Sequence, residues 1–184
     1  MEMEIEQRVW AIGAKFDITT PTDSYTASRG LFTLFGGYQL FNRQGQSVAQ
    51  IVRQFSLFKP RYTITLADGT VYLLANQSFL KGTYTCEGGG EPYFIYAHRG
   101  RTFSIFKGKR QVASFTHQAV TVMGANQIDI RADDNCQVEL ILSMVLCIEA
   151  PQDQGNNQGV SFDLGKIGPE ERPINPNWQP NQAD

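Results

Sequence analysis

From Leu140 to Ile148 the chain reads Leu-Ile-Leu-Ser-Met-Val-Leu-Cys-Ile, with Ser143 as the one polar residue. A helix built from this run has no face for water, so it must be buried in protein or in lipid. Val138 to Ile148 would span ~16 Å as a helix, about half the ~30 Å of bilayer hydrocarbon, which leaves protein as the shelter. Asp133, Asp134 and Asn135 offer N-cap oxygens, and Glu139 suits the positive helix end. The expectation is a buried helix over about residues 136–149. A core strand is the competing reading, because periodicity does not separate the two states in a short apolar run.

The residues before this run supply the shelter. Tyr62, Ile64 and Leu66 alternate with Thr63 and Thr65, the period-2 pattern of a strand buried on one face. Turn chemistry recurs at Asn42-Arg43-Gln44-Gly45, Asp68-Gly69, Arg99-Gly100 and Lys107-Gly108-Lys109. An internal repeat runs through the pattern. Phe32-Thr33-Leu34-Phe35, Tyr38 and Gly45 are echoed by Phe55-Ser56-Leu57-Phe58, Tyr62 and Gly69; a weaker echo opens the chain at Trp10, Ile12 and Phe16, and another sets Gly108 ahead of Val112-Ala113-Ser114-Phe115 as Gly45 stands ahead of Val48-Ala49-Gln50-Ile51. Units this short and irregular suit an antiparallel meander that curls and closes on itself, which removes exposed sheet edges. Residues 1–150 are therefore expected to form one all-β barrel domain around the helix.

Five of the eight prolines fall after Ala150, among many Asn and Gln. Residues 151–184 read as a tail, flexible by default. Val160, Phe162, Leu164 and Ile167 offer one stretch able to dock, and Trp178 one anchor for the end.

Little here points to catalysis. The two histidines, His98 and His117, have no metal-ligand spacing, and CxxC, HExxH, GxSxG and Walker loops are all absent. Gly88-Gly89-Gly90 has acidic flanks, Glu87 and Glu91, so it reads as a loop apex and not as a phosphate cradle. Cys86, Cys136 and Cys147 are an odd number, read as free, mostly buried thiols of a cytoplasmic protein. The acidic start MEMEIEQRVW has no signal-peptide core. The expectation is a cytoplasmic, non-enzymatic protein with no cofactor and no metal.

Several strand patterns, taken in order, resemble the LURP-one-related family, whose members share the tubby C-terminal-like fold with phospholipid scramblases. The resemblance covers roughly residues 7–150. It is carried by Val9-Trp10-Ala11-Ile12-Gly13-Ala14-Lys15-Phe16-Asp17-Ile18 and by Gly30-Leu31-Phe32-Thr33-Leu34-Phe35 with Tyr38. Val48-Ala49-Gln50-Ile51, Phe55-Ser56-Leu57-Phe58-Lys59-Pro60-Arg61-Tyr62 and the ending Leu146-Cys147-Ile148-Glu149 complete it. The order and spacing carry the match, and the Pro/Asn/Gln tail departs from the pattern. The resemblance implies a twelve-stranded barrel enclosing a hydrophobic helix. It also implies lipid binding by analogy, since tubby proteins bind phosphoinositides and scramblases act at membranes; many family members have no assigned function, and fold alone does not fix one.

Net charge is −2, but residues 43–118 hold ten Lys/Arg against three Asp/Glu. Arg53, Lys59 and Arg61 flank the corner at Pro60; Lys107, Lys109 and Arg110 crowd one hairpin turn; Arg99 and Arg101 bracket another. A phosphorylated headgroup needs several cations converging, Arg giving bidentate contacts and Lys a point charge. The expectation is that two basic turns share one barrel rim and bind an anionic phospholipid or membrane surface, peripherally. Solubility and edge protection explain the same residues at least as simply. Two alternatives are a protein partner held by the tail, and single-stranded nucleic acid on the aromatics of residues 93–107. Overall acidity, and alternation that turns many rings inward, make nucleic acid the weakest.

Overall fold

A computed structural model of the protein describes residues 1–7, 15–29, 37–56, 59–78, 82–118, 127–149 and 171–182. The quoted residues 9–14, 30–35, 57–58 and 160–167 lie outside these. The described strands are β1 (Glu2–Gln7), β2 (Lys15–Thr19), β3 (Ser24–Arg29), β4 (Gly37–Asn42), β5 (Ser47–Gln54) and β6 (Arg61–Leu66). They continue as β7 (Val71–Ser78), β8 (Thr83–Glu87), β9 (Tyr93–His98), β10 (Thr102–Lys107), β11 (Arg110–Gln118) and β12 (Gln127–Ala132), followed by α1 (Val138–Glu149). Each strand pairs antiparallel with its chain neighbours, and β1 closes on β12 with Met3 opposite Ile130 and Ile5 opposite Ile128. The meander is a closed barrel, so no sheet edge is left open.

Alternation selects the inward face. Phe16 and Ile18, Tyr38 and Leu40, Ala49 and Ile51, Tyr62 and Ile64, Tyr72 and Leu74, and Ile128 and Ile130 are all buried in one cluster with the helix. Leu140 through Leu146 are each 1% exposed or less, so the barrel wall surrounds α1 on every side. Ser143, the polar residue in this run, donates its hydroxyl to the Glu139 carbonyl at 2.6 Å, which satisfies it within the helix.

The helix begins at Val138, and residues 133–137 form a turn after β12, so Asp133 and Asp134 lie too far back to cap it. Its start is instead held by barrel tyrosines: Tyr72 donates to Gln137 Oε1 at 2.9 Å and Tyr25 to Glu139 Oε1 at 3.2 Å. Burial, with Glu139 beside it, pushes the Tyr25 hydroxyl up to about 12. The glycine triplet belongs to this arrangement. It turns the chain between β8 and β9 with all three φ positive, and a Cβ on Gly88 or Gly89 would collide with the Val71 carbonyl or the Tyr72 hydroxyl.

The end of the tail is not loose. Residues 171–182 form a strap on the outside of the barrel. Glu171 accepts from the Thr83 hydroxyl at 2.9 Å, the Arg172 guanidinium sits 3.6 Å from the Phe106 ring centroid, and Trp178 is 8% exposed. Asn181 closes the strap on the turn after β12. Its N–H donates to Asp133 Oδ1 at 2.6 Å, its Oδ1 accepts from the Asp134 N–H at 2.8 Å, and its Nδ2 donates to Asp134 Oδ2 at 3.0 Å.

Candidate functional site

In an up-and-down barrel, connections alternate between the two ends. Those after even-numbered strands (20–23, 43–46, 67–70, 88–92, 108–109 and 133–137) lie where α1 begins; those after odd-numbered strands lie where it finishes. The end where α1 begins carries Asp23, Asp68, Glu91, Asp133 and Asp134 against Arg43 and Lys109 in its connections. At the other end the described connections carry Lys59, Arg99 and Arg101 and no carboxylate, with Arg29, Arg53 and Arg61 and the carboxylate of Glu6 on the adjoining strand ends. Among the described residues, then, carboxylates outnumber cations at the first end even with Lys107 and Arg110 counted there, and cations outnumber carboxylates at the second; these are called the acidic end and the basic end.

This separation corrects the expected single rim. Arg53, Lys59 and Arg61 surround the β5–β6 connection at the basic end. Lys107, Lys109 and Arg110 surround the β10–β11 connection at the acidic end, so the two turns cannot converge on one headgroup. Their partners agree. Arg110 Nη2 lies 2.7 Å from the buried Asp133 carboxylate, Lys107 Nζ stands 5.6 Å from the Tyr93 ring centroid, and the Lys109 carbonyl accepts from Arg172 at 3.2 Å. The internal repeat held the signal: Pro60 precedes the repeated tyrosine strand, whereas Gly45, Gly69 and Gly108 follow strands that run the same way.

The basic end brings further cations together. Arg99 and Arg101, in the β9–β10 turn, share it with Arg53, Lys59 and Arg61. Lys59 Nζ donates to the Gln77 carbonyl at 2.7 Å, which fixes it beside the start of β6, and Arg61 is exposed on the outer face. Between them and β5 projects Phe55, 70% exposed, the most exposed large apolar side chain among the described residues. Inside the mouth, Arg53 pairs across the sheet with Tyr62, Arg29 with Tyr38, and Asn76 with Tyr84. Arg101 Nη1 lies 3.1 Å from His117 Nδ1, and burial together with that cation lowers the His117 pKa, favouring the neutral ring.

The chemistry of the remaining groups is muted. Burial pushes the Cys86 thiol up to about 12, Cys136 up to about 11 and Cys147 well above its usual value, which suppresses thiolate nucleophiles. His98 and Ser104 are buried together at 2.9 Å. Among the described residues, no three His, Cys, Asp or Glu side chains group as metal ligands. Of the aromatics at 93–107, Tyr93 is in the core and Phe103 stacks on Phe115 at 4.5 Å, while Tyr96 and Phe106 lie under Arg172.

A family model described as LURP-one-related matches residues 1–149, the barrel and its helix together. The chain belongs to the LURP-one-related family. Neither the curated proteins nor the solved structures gave a match. The twelve-stranded barrel around a helix is the architecture that the family resemblance implied, and the strap lies beyond the matched LURP-one-related residues. No helix among the described residues is long and apolar enough to cross a membrane.

Proposed function

We propose that this LURP-one-related protein is a non-enzymatic cytoplasmic protein that docks peripherally on anionic phospholipid surfaces through its basic end. The observation that carries this reading is Phe55, exposed beside Lys59 and Arg61 at an end whose described connections hold no carboxylate. An exposed aromatic side chain beside cations suits the membrane interface. The ring enters the headgroup boundary while the cations gain about 1 kcal/mol each near an anionic surface. The opposite end would be repelled, so the charge separation also sets the orientation. Co-sedimentation with vesicles tests this. Binding to phosphatidylserine-containing vesicles is expected to fall as salt rises and to drop sharply in Phe55→Ser, with negligible binding to neutral vesicles. Equal and negligible binding to anionic and neutral vesicles would discard the reading.

A further inference from the structure

We infer that the outer face of the barrel where β1, β12 and β11 lie side by side binds a linear polyamine, a flexible cation whose ammonium groups are separated by methylene chains. This does not depend on membrane docking, which uses the basic end.

Alternation turns Met3 and Ile5 into the core and leaves Glu2 and Glu4 exposed on the outer face of β1. In the ladder that closes the barrel, Glu4 stands directly opposite Asp129, and Glu2 opposite Arg131. Directly opposed Cβ atoms lie about 5 Å apart, and like charges placed so destabilise a sheet. Asp129 accepts from the Gln118 and Gln127 carboxamides, neutral donors that leave its charge in place. Among the described residues, neither Glu2 nor Glu4 has an ion-pair or side-chain hydrogen-bond partner. The Met1 ammonium is engaged with Asp134 at 2.9 Å. Arg131 offsets one of the three carboxylates, so the face keeps uncompensated negative charge.

These side chains line one groove of about 680 Å³, within the ~300–1,000 Å³ range of small-molecule sites. Ser114 lines it too, from the outer face of β11 opposite Arg131. It is 8% exposed, and its hydroxyl has no hydrogen-bond partner among the described residues. A buried hydroxyl without a partner calls for one, and an ammonium group brings N–H donors. Glu2 and Glu4 are strung along one strand, about 7 Å apart. Among the described residues, no three His, Cys, Asp or Glu side chains group to hold a metal ion. A point cation is therefore not gripped. Ammonium groups spaced along a chain can each meet a carboxylate, while the methylenes between them lie on Pro21, which also lines the groove. Solvation of an exposed strand explains the glutamates alone and leaves Ser114 unexplained, and this difference provides the test.

Calorimetric titration of the full chain would compare spermidine with magnesium and with a lysine tripeptide at one ionic strength. Saturable binding of spermidine is expected, with no saturable binding of magnesium and weaker binding of the peptide. Glu4→Gln is expected to weaken spermidine about fivefold, the worth of one exposed ion pair. The melting temperature of the free protein should hold or rise in this variant, because the repulsion between Glu4 and Asp129 is removed. Ser114→Ala leaves every charge in place and is also expected to weaken spermidine about fivefold, through the lost hydrogen bond. Glu91→Gln removes a carboxylate outside the groove and should leave binding within about twofold, since only diffuse attraction is lost. The inference is overturned if spermidine shows no saturable binding, or if magnesium or the peptide binds as tightly. It is overturned equally if Ser114→Ala binds as wild type does, or if Glu91→Gln weakens spermidine as much as Glu4→Gln.

Discussion

Arg110 reaches from the first residue of β11 to Asp133, just past the end of β12, with Nη2 and Oδ2 2.7 Å apart. The two partners are unequally placed: the Asp133 side chain is 1% exposed and that of Arg110 is 41% exposed. Removing the arginine therefore strands a buried carboxylate, whereas removing the carboxylate leaves a cation that water can reach. Arg110→Gln should lower the unfolding free energy by about 2 kcal/mol, below the ~3–5 kcal/mol of a wholly buried pair because Arg110 keeps solvent contact. Urea denaturation would measure it, and a loss below about 0.5 kcal/mol, the range of an ordinary surface substitution, would contradict the assignment.

The same carboxylate accepts the Asn181 N–H, which joins the stability of the strap to that of the turn. Trp178→Ala should release residues 171–182 as one unit, because its anchors are few and the barrel core contains none of them. Hydrogen-exchange mass spectrometry should show the strap amides losing protection together while β1–β12 keep theirs. Independent fraying of single residues would show that the strap is not cooperative.

The enclosed helix makes core truncation expensive. Leu142 is 0% exposed and packed in the same cluster as the barrel's inward side chains. Leu142→Ala should cost about 2–5 kcal/mol, since the wall on every side limits collapse into the void. A ring of twelve strands closed by hydrogen bonds relaxes less than a helix bundle would. Equilibrium unfolding that shows under 1 kcal/mol would mean that the wall moves inward.

At the basic mouth, His117 accepts a hydrogen bond from Arg101 through Nδ1, which requires the neutral ring. Burial and the guanidinium hold its folded pKa below the ordinary histidine value of about 6.5. The unfolded chain therefore takes up the proton first. Stability is complete above the unfolded pKa, falls as pH drops through ~6.5, and stops falling below the folded pKa. Melting temperatures between pH 8 and pH 4.5 should show this loss, and His117→Gln should flatten it. An unchanged pH profile in the variant would assign the slope to other groups.

Fold was readable from sequence because it rests on local patterns. The dry run at Leu140–Ile148 demands an enclosure, and the alternation at Tyr62–Leu66 supplies its wall. What escaped depended on long-range placement. The sequence offers Asp133 and Asp134 as caps because capping is decided within four residues, yet their partners are the Met1 ammonium, Arg110 and Asn181, all remote along the chain. Composition alone makes the strap flexible by default, although Arg172 and Asn181 find partners 63 and 47 residues back along the chain. The basic turns suggest one rim in sequence because charge runs carry no statement about which end of a barrel a turn occupies. Counting strands between Pro60 and Gly108 decides it: an even number of strands would place them together, and β6 to β10 are five.

That parity gives a direct test of orientation at membranes. Arg61 and Lys109 are both exposed lysine-or-arginine positions beside turns, and their individual exposure gives no reason to rank them. Their ends do. At the basic end Arg61 stands with Lys59 and Phe55, whereas Lys109 shares its end with Asp23, Asp68, Glu91, Asp133 and Asp134. Arg61→Gln should weaken binding to anionic vesicles about fivefold, the equivalent of about 1 kcal/mol per cation near the surface. Lys109→Gln should leave vesicle binding within twofold, because the acidic end faces away from the lipid and the charge lies beyond a Debye length of ~10 Å at 0.1 M salt. Equal losses in the two variants would mean that the protein lies on its side against the surface, with both ends in contact.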